Sequence, residues 1–94
     1  MSVGIGSNPA AGVSSNSNVG ASSAVVVPAG TYAAWVTIQN THATQKLSLS
    51  FTSPATTSDY TLAAGASITL PFGLANALYG IGSGAATTYA LIGF

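Results

Sequence analysis

Hydrophobic and polar residues alternate most clearly between Thr31 and Phe51. Tyr32, Ala34, Val36 and Ile38 share one face of an extended chain, and further on Leu47, Leu49 and Phe51 oppose Lys46, Ser48, Ser50 and Thr52. A period of two marks half-buried strands. The polar run that Asn40 opens between the two halves reads as a turn, so the simplest expectation is an antiparallel hairpin on which the rest of the chain docks.

The flanking segments repeat the theme. Ala24 to Pro28 is a β-branched run closed by Pro-Ala-Gly, a tight turn. Phe51 to Asp59 is a loop marked by Ser53-Pro54, Tyr60 to Ala63 is a short strand, and Ala64-Gly65 is its turn. Ser67 to Phe72 alternates with Ile68, Leu70 and Phe72 on one face, and Pro71 assigns its end to a sheet edge. Leu74 to Leu78 fits one helical turn, but Ala77, Tyr79 and Ile81 also alternate as a strand, with Gly80-Ile-Gly-Ser-Gly as the bend that follows. In Thr87 to Phe94, Thr88, Ala90, Ile92 and Phe94 oppose Thr87, Tyr89 and Leu91; both faces are largely apolar, as in a central strand or one covered by a partner. About seven short strands and no convincing helix predict an all-β fold, a small antiparallel β-sandwich or barrel spanning residues 24–94.

Residues 1–23 differ from the rest. They are Gly, Ser, Asn and Ala with isolated Val3, Ile5, Val13 and Val19, the composition of a flexible, extended low-complexity arm. Ordering such a segment costs about 1 kcal/mol or more per residue in backbone entropy. Its few aliphatic side chains repay little of that by folding back on their own domain. A neighbouring subunit is therefore expected to hold the arm, as an added strand or a strap.

Charge sharpens this picture. The 94 residues contain one Lys, no Arg, one acidic residue and one His, where a soluble domain has about 25% charged residues. Without like-charge repulsion, copies of such a surface have little to keep them apart. A chain this short buries only roughly 60 to 65% of its unfolded surface, and with no cysteine it has neither disulfides nor a thiolate metal site to reinforce its core. It is expected to live against copies of itself or a larger partner. With Lys46 as the sole cation, counterion-release binding to nucleic acid is not expected. The most apolar window, Ala24 to Ile38, contains Pro28 and Gly30 and is shorter than the roughly 20 residues of a spanning helix, so no membrane partner is expected. No signal-peptide pattern opens the sequence, which points to a chain made in the cytoplasm and used unprocessed.

Reaction chemistry finds few carriers. A Ser-His-Asp arrangement would have to use His42 and Asp59, yet His42 lies in the polar turn, where it is a solvated residue or a pH-sensitive contact, and Asp59 ends a loop. These two also fall short of a metal ligand set, and neither Gly4-Ile-Gly nor Gly80-Ile-Gly-Ser-Gly is followed by the Lys-Ser/Thr or helix of a phosphate loop. Neither an enzyme nor a cofactor site is expected. Trp35 with Tyr32, Tyr60, Tyr79 and Tyr89 offers an aromatic platform for sugar, but Trp35 is out of phase with the apolar set around it and better suits a second layer or a subunit contact.

Several stretches together carry a likeness: Val36-Thr-Ile-Gln-Asn40, Leu47-Ser-Leu-Ser-Phe51, Tyr60-Thr-Leu-Ala-Ala-Gly-Ala-Ser-Ile68 and Leu78-Tyr-Gly-Ile-Gly-Ser-Gly84. Over about Val25 to Phe94 the chain resembles small virion structural proteins of tailed bacteriophages, the capsid decoration or cement type and related head-fibre pieces. The resemblance implies a many-copy accessory protein on the capsid surface of the virion, with the major capsid protein or other virion subunits as partners. A homo-oligomer, trimeric or otherwise clustered, is expected. Val3, Ile5, Val13 and Val19 of the arm and Tyr32, Trp35, Tyr79 and Phe94 are the expected partner-binding residues. A receptor- or glycan-binding fibre module and a small capsid subunit are the rival readings.

Overall fold

The computed structural model describes residues 12–94. Among the described residues there are eight strands and no helix: β1 (Val13–Val19), β2 (Ala24–Val27), β3 (Val36–Asn40), β4 (Leu47–Ser50), β5 (Tyr60–Leu62), β6 (Ser67–Leu70), β7 (Leu78–Gly82) and β8 (Thr87–Gly93). They make two four-stranded antiparallel sheets, in the orders β1-β8-β3-β6 and β2-β7-β4-β5. The pairings have a simple logic. β1 pairs with β8, β2 with β7, β3 with β6 and β4 with β5, as in one long hairpin folded about the β4–β5 loop. That hairpin then rolls up, bringing β3 against β8 and β4 against β7. Eight strands so arranged are a jelly roll.

Alternation decides what lies between the sheets. Val36 and Ile38 of β3, Leu47 and Leu49 of β4, and Tyr89 and Leu91 of β8 point inward and are buried, joined by Val26, Val27, Leu62 and Leu78. In β7 the inward positions are Leu78, Gly80 and Gly82. A side chain at Gly80 would collide with Val26 Cγ2, and one at Gly82 with the Thr87 side chain. These glycines, which read as a bend in the sequence, therefore continue a strand whose neighbours fill the space.

The expected hairpin between Thr31 and Phe51 does not form. β3 and β4 lie in opposite sheets, and Thr41 to Lys46 arches from one sheet to the other. Asn40 holds that arch. Its side chain is fully buried; Nδ2 donates to the carbonyls of Gln45 (2.8 Å) and Leu62 (3.0 Å), while Oδ1 accepts the His42 N–H (3.0 Å). Its main chain also bonds the β5–β6 arch, donating to the Ala66 carbonyl and accepting from Gly65 N–H, both at 2.9 Å. Two crossings of the sandwich thus meet at one amide.

Two further expectations change. Residues 13–19, read as part of the arm held by a neighbour, form β1 and pair along their whole length with β8 of the same chain. Their side chains are too small and polar to show any alternation, so the pairing rests on backbone hydrogen bonds. Val3 and Ile5 lie outside the described residues. Tyr32 and Val19, expected at a partner contact, are 1% and 3% exposed and belong to the core. Tyr32 reaches it from the β2–β3 loop rather than from a strand, with its ring packed against Gly93.

Candidate functional site

The outer face of the first sheet carries no ionic group among the described residues. Directly opposed residues of antiparallel strands share a face, which places Ser14, Asn16 and Asn18 of β1, Thr88, Ala90 and Ile92 of β8, Thr37 and Gln39 of β3, and Ser67 and Thr69 of β6 on it. Thr37 and Thr69 tie two of these strands through a 2.7 Å bond between their hydroxyls. Trp35 and Phe94 extend the face at one end. Each donates its N–H to the other's carbonyl (3.2 and 3.0 Å), so the two residues are paired through their main chains, with 38% and 40% exposure, and Ile92 beside them in the chain is exposed as well. A shallow depression of about 210 Å³ bordered by Thr37, Gln39, Ser67 and Ala90 continues from Ile92. Of the contact residues expected from sequence, the structure brings Trp35 and Phe94 together and sets Val13 in the adjacent row, opposite Gly93.

The second sheet is different because its own loop covers it. Ala55, in the β4–β5 loop, is buried and donates its N–H to Ser23 Oγ (2.8 Å), just ahead of β2. A loop that leaves β4 and reaches β2 must cross β7, which lies between them. That crossing accounts for Ser48, which points outward yet is only 2% exposed, and for the partial burial of Tyr79 and Ile81. Tyr79 is thus half hidden and stands apart from the Trp35–Phe94 pair.

Between the sheets, on the side where the edge strands β5 and β6 face each other, the sandwich is open. A cleft of about 260 Å³ is lined by Leu49, Phe51, Tyr60, Ile68, Leu70 and Leu78, with Ser50 the one residue of another kind. Phe72 stands beside Phe51, just outside the cleft, with ring centroids 6.4 Å apart, and Phe51, Tyr60 and Phe72 are all exposed. Sequence alternation put Phe51 on one face with Leu47 and Leu49, and Phe72 on one face with Ile68 and Leu70. The neighbouring chain breakers carry the missed signal: Ser53-Pro54 follows one and Pro71 precedes the other, so both side chains fall beyond their strands. The cleft is smaller than the roughly 300 to 1,000 Å³ of typical small-molecule sites and offers little for a sugar to hydrogen-bond.

The ionisable residues sit in loops. His42 Nδ1 accepts the N–H groups of Thr44 (3.1 Å) and Gln45 (3.0 Å), which places the ring proton on Nε2 and makes the imidazole a brace for the β3–β4 arch. Asp59 Oδ2 accepts the Thr56 N–H (2.7 Å) and closes the β4–β5 loop at the opposite end of the sandwich. The structure therefore does not bring His42 and Asp59 together. Lys46 leads into β4, its N–H bonded to Ser83 Oγ (2.9 Å). Among the described residues no three His, Cys, Asp or Glu side chains cluster as metal ligands, and no helix is long and apolar enough to cross a membrane.

No protein-family model matches the chain, and neither a curated protein nor a solved structure matches it.

Proposed function

We propose that this protein is a virion structural component, a capsid decoration or cement protein that binds assembled phage heads and stabilises them by bridging subunits. The observation that carries the reading is the uncharged outer face of the first sheet, ending in Trp35, Ile92 and Phe94. Covering it removes apolar area from water without desolvating an ion, and desolvation of ions is the costliest part of burying a protein surface. A protein that binds only the assembled shell raises the cost of taking that shell apart by mass action. The jelly roll is a fold of viral capsid domains and of lectins alike, so the fold agrees with this reading without selecting it.

The test is co-sedimentation of the purified chain with heads assembled from the major capsid protein of the same genome, followed by heating of the loaded heads. Wild-type chain is expected to sediment with the heads and delay their disruption. Trp35→Ser combined with Phe94→Ser is expected to lower binding at least tenfold. Equal binding by the variant would remove this face from the mechanism. A glycan-binding fibre module is the second reading, favoured by the exposed Trp35 beside a depression bordered by the Gln39 amide and the Thr37 hydroxyl. Glycan-array binding lost in Trp35→Ala would select it.

A further inference from the structure

Among the described residues no strand pairs with the outer edge of β1, and we propose that this edge pairs with β1 of a second copy about a two-fold axis through Asn16. Natural sheets protect their edges with charge, proline, bulges or short strands. β1 has none of these. Val13-Ser-Ser-Asn-Ser-Asn-Val19 runs opposite β8 residue for residue with no shift in register, and all of it except Val19 is exposed.

The hydrogen-bond pattern says which of its backbone groups are free. Phe94 and Trp35 exchange both main-chain bonds, and Thr41 N–H donates to the Thr88 carbonyl (3.0 Å). Even-numbered residues of β8 therefore aim their backbone groups at β3, and odd-numbered ones at β1. Gly93, Leu91, Tyr89 and Thr87 lie opposite Val13, Ser15, Ser17 and Val19, so these four bond inward to β8. Ser14, Asn16 and Asn18 are left with N–H and C=O directed outward.

Three outward residues at this spacing are self-complementary. In an antiparallel pair centred on Asn16, Asn16 faces Asn16 of the second copy, and Ser14 and Asn18 face the other copy's Asn18 and Ser14. Each facing pair exchanges two N–H···O=C bonds, so all the outward groups are satisfied. The side chains agree with this register, because the segment reads nearly the same in both directions: Val13 falls opposite Val19 and Ser15 opposite Ser17. No charge is brought against a like charge. The product is a continuous eight-stranded sheet whose order is β6-β3-β8-β1 followed by the same four strands reversed. The symmetry is isologous, which fixes a two-fold pair as the closed unit. This inference does not rest on the proposed function, since it concerns two copies of the chain alone.

The chain has no cysteine, which makes the test clean. Opposed residues of a hydrogen-bonded antiparallel pair have Cα atoms about 5.5 Å apart, within the range that a disulfide spans. The full chain carrying Asn16→Cys, oxidised at about 1 mM where even a millimolar association is populated, is expected to give a covalent dimer in high yield. Ser14→Cys is expected to give at least tenfold less under the same conditions, and Ser14→Cys with Asn18→Cys together is expected to restore it. Comparable yields from Asn16→Cys and Ser14→Cys, or none from either Asn16→Cys or the double variant, would overturn the proposal. Asn16→Pro provides a check without crosslinking. It removes an outward N–H but no bond to β8, so sedimentation should show the dimer lost while the melting curve of the dilute chain keeps its shape. A dimer that survives Asn16→Pro would equally refute the pairing.

Discussion

Replacing Asn40 by alanine tests the account of how the two sheets are joined. The substitution removes two donated bonds, to the carbonyls of Gln45 and Leu62, and one accepted bond, from His42 N–H. A net hydrogen bond in a folded protein contributes about 0.5 to 1.5 kcal/mol, and a buried group stripped of its partner costs about 1 to 3 kcal/mol. The Leu62 carbonyl is the buried one, whereas Gln45 and His42 lie close enough to the surface for water to replace part of what is lost. The expected loss is therefore about 3 kcal/mol, most of it from the Leu62 contact. For a domain of this size that corresponds to a fall in Tm of about 12 to 24 °C. Urea unfolding followed by the fluorescence of Trp35, the single tryptophan, measures it directly. Asn40→Asp separates the donors from the acceptor: it keeps an oxygen for His42 N–H but turns a carboxylate toward two carbonyls. Folding should then hold that carboxyl above its unfolded pKa. Sign follows from linkage: the penalty is absent below the unfolded pKa of about 4 and grows as pH rises through it, so this variant should be more stable in acid than at neutrality. A loss below about 1 kcal/mol in Asn40→Ala, or an Asn40→Asp variant with no such pH dependence, would refute the role given to Asn40.

Other expectations follow from particular contacts. Gly93→Ala would drive a methyl group into the Trp35 carbonyl and the Tyr32 ring. Backbone cannot yield there, so a loss of about 2 to 4 kcal/mol or failure to fold is expected, read by circular dichroism and melting. Gly65, at φ 81° in the β5–β6 arch, has open space around it but a left-handed backbone; Gly65→Ala should cost about 1 to 2 kcal/mol from conformation alone, measured by urea titration. Phe51→Ser with Phe72→Ser strips the rim of the apolar cleft, where both residues are about half exposed. Stability should change by about 1 kcal/mol or less, while binding of an apolar fluorescent dye should fall several-fold.

Much of the architecture was legible in the alternation. Val36 with Ile38, and Leu47 with Leu49, are buried together as a period of two grouped them, and Trp35 faces away from Val36 and Ile38 as its phase requires. What escaped was pairing. The turn signal between Ile38 and Leu47 is real, but composition does not tell a turn that returns a strand to its own sheet from one that carries it to the opposite sheet. That choice is made by Asn40 with Leu62 and Ala66, more than twenty residues away in sequence. β1 was hidden for another reason. Its side chains bury almost nothing, so hydropathy has no purchase on a strand held by its backbone. At the candidate surface, Trp35 and Phe94 could be named individually, but their adjacency depends on β3 lying against β8.

The rolled hairpin also constrains how the chain is born. β8 sits inside the first sheet, between β1 and β3, so both of those strands wait for a segment that comes well after them in the chain. Until Thr87 to Gly93 clear the ribosome, β1 lacks the strand it pairs with and β3 has only the edge strand β6 beside it. Translation must therefore pass β8 before this sheet closes, and folding becomes a long-range event of the kind that topology makes slow.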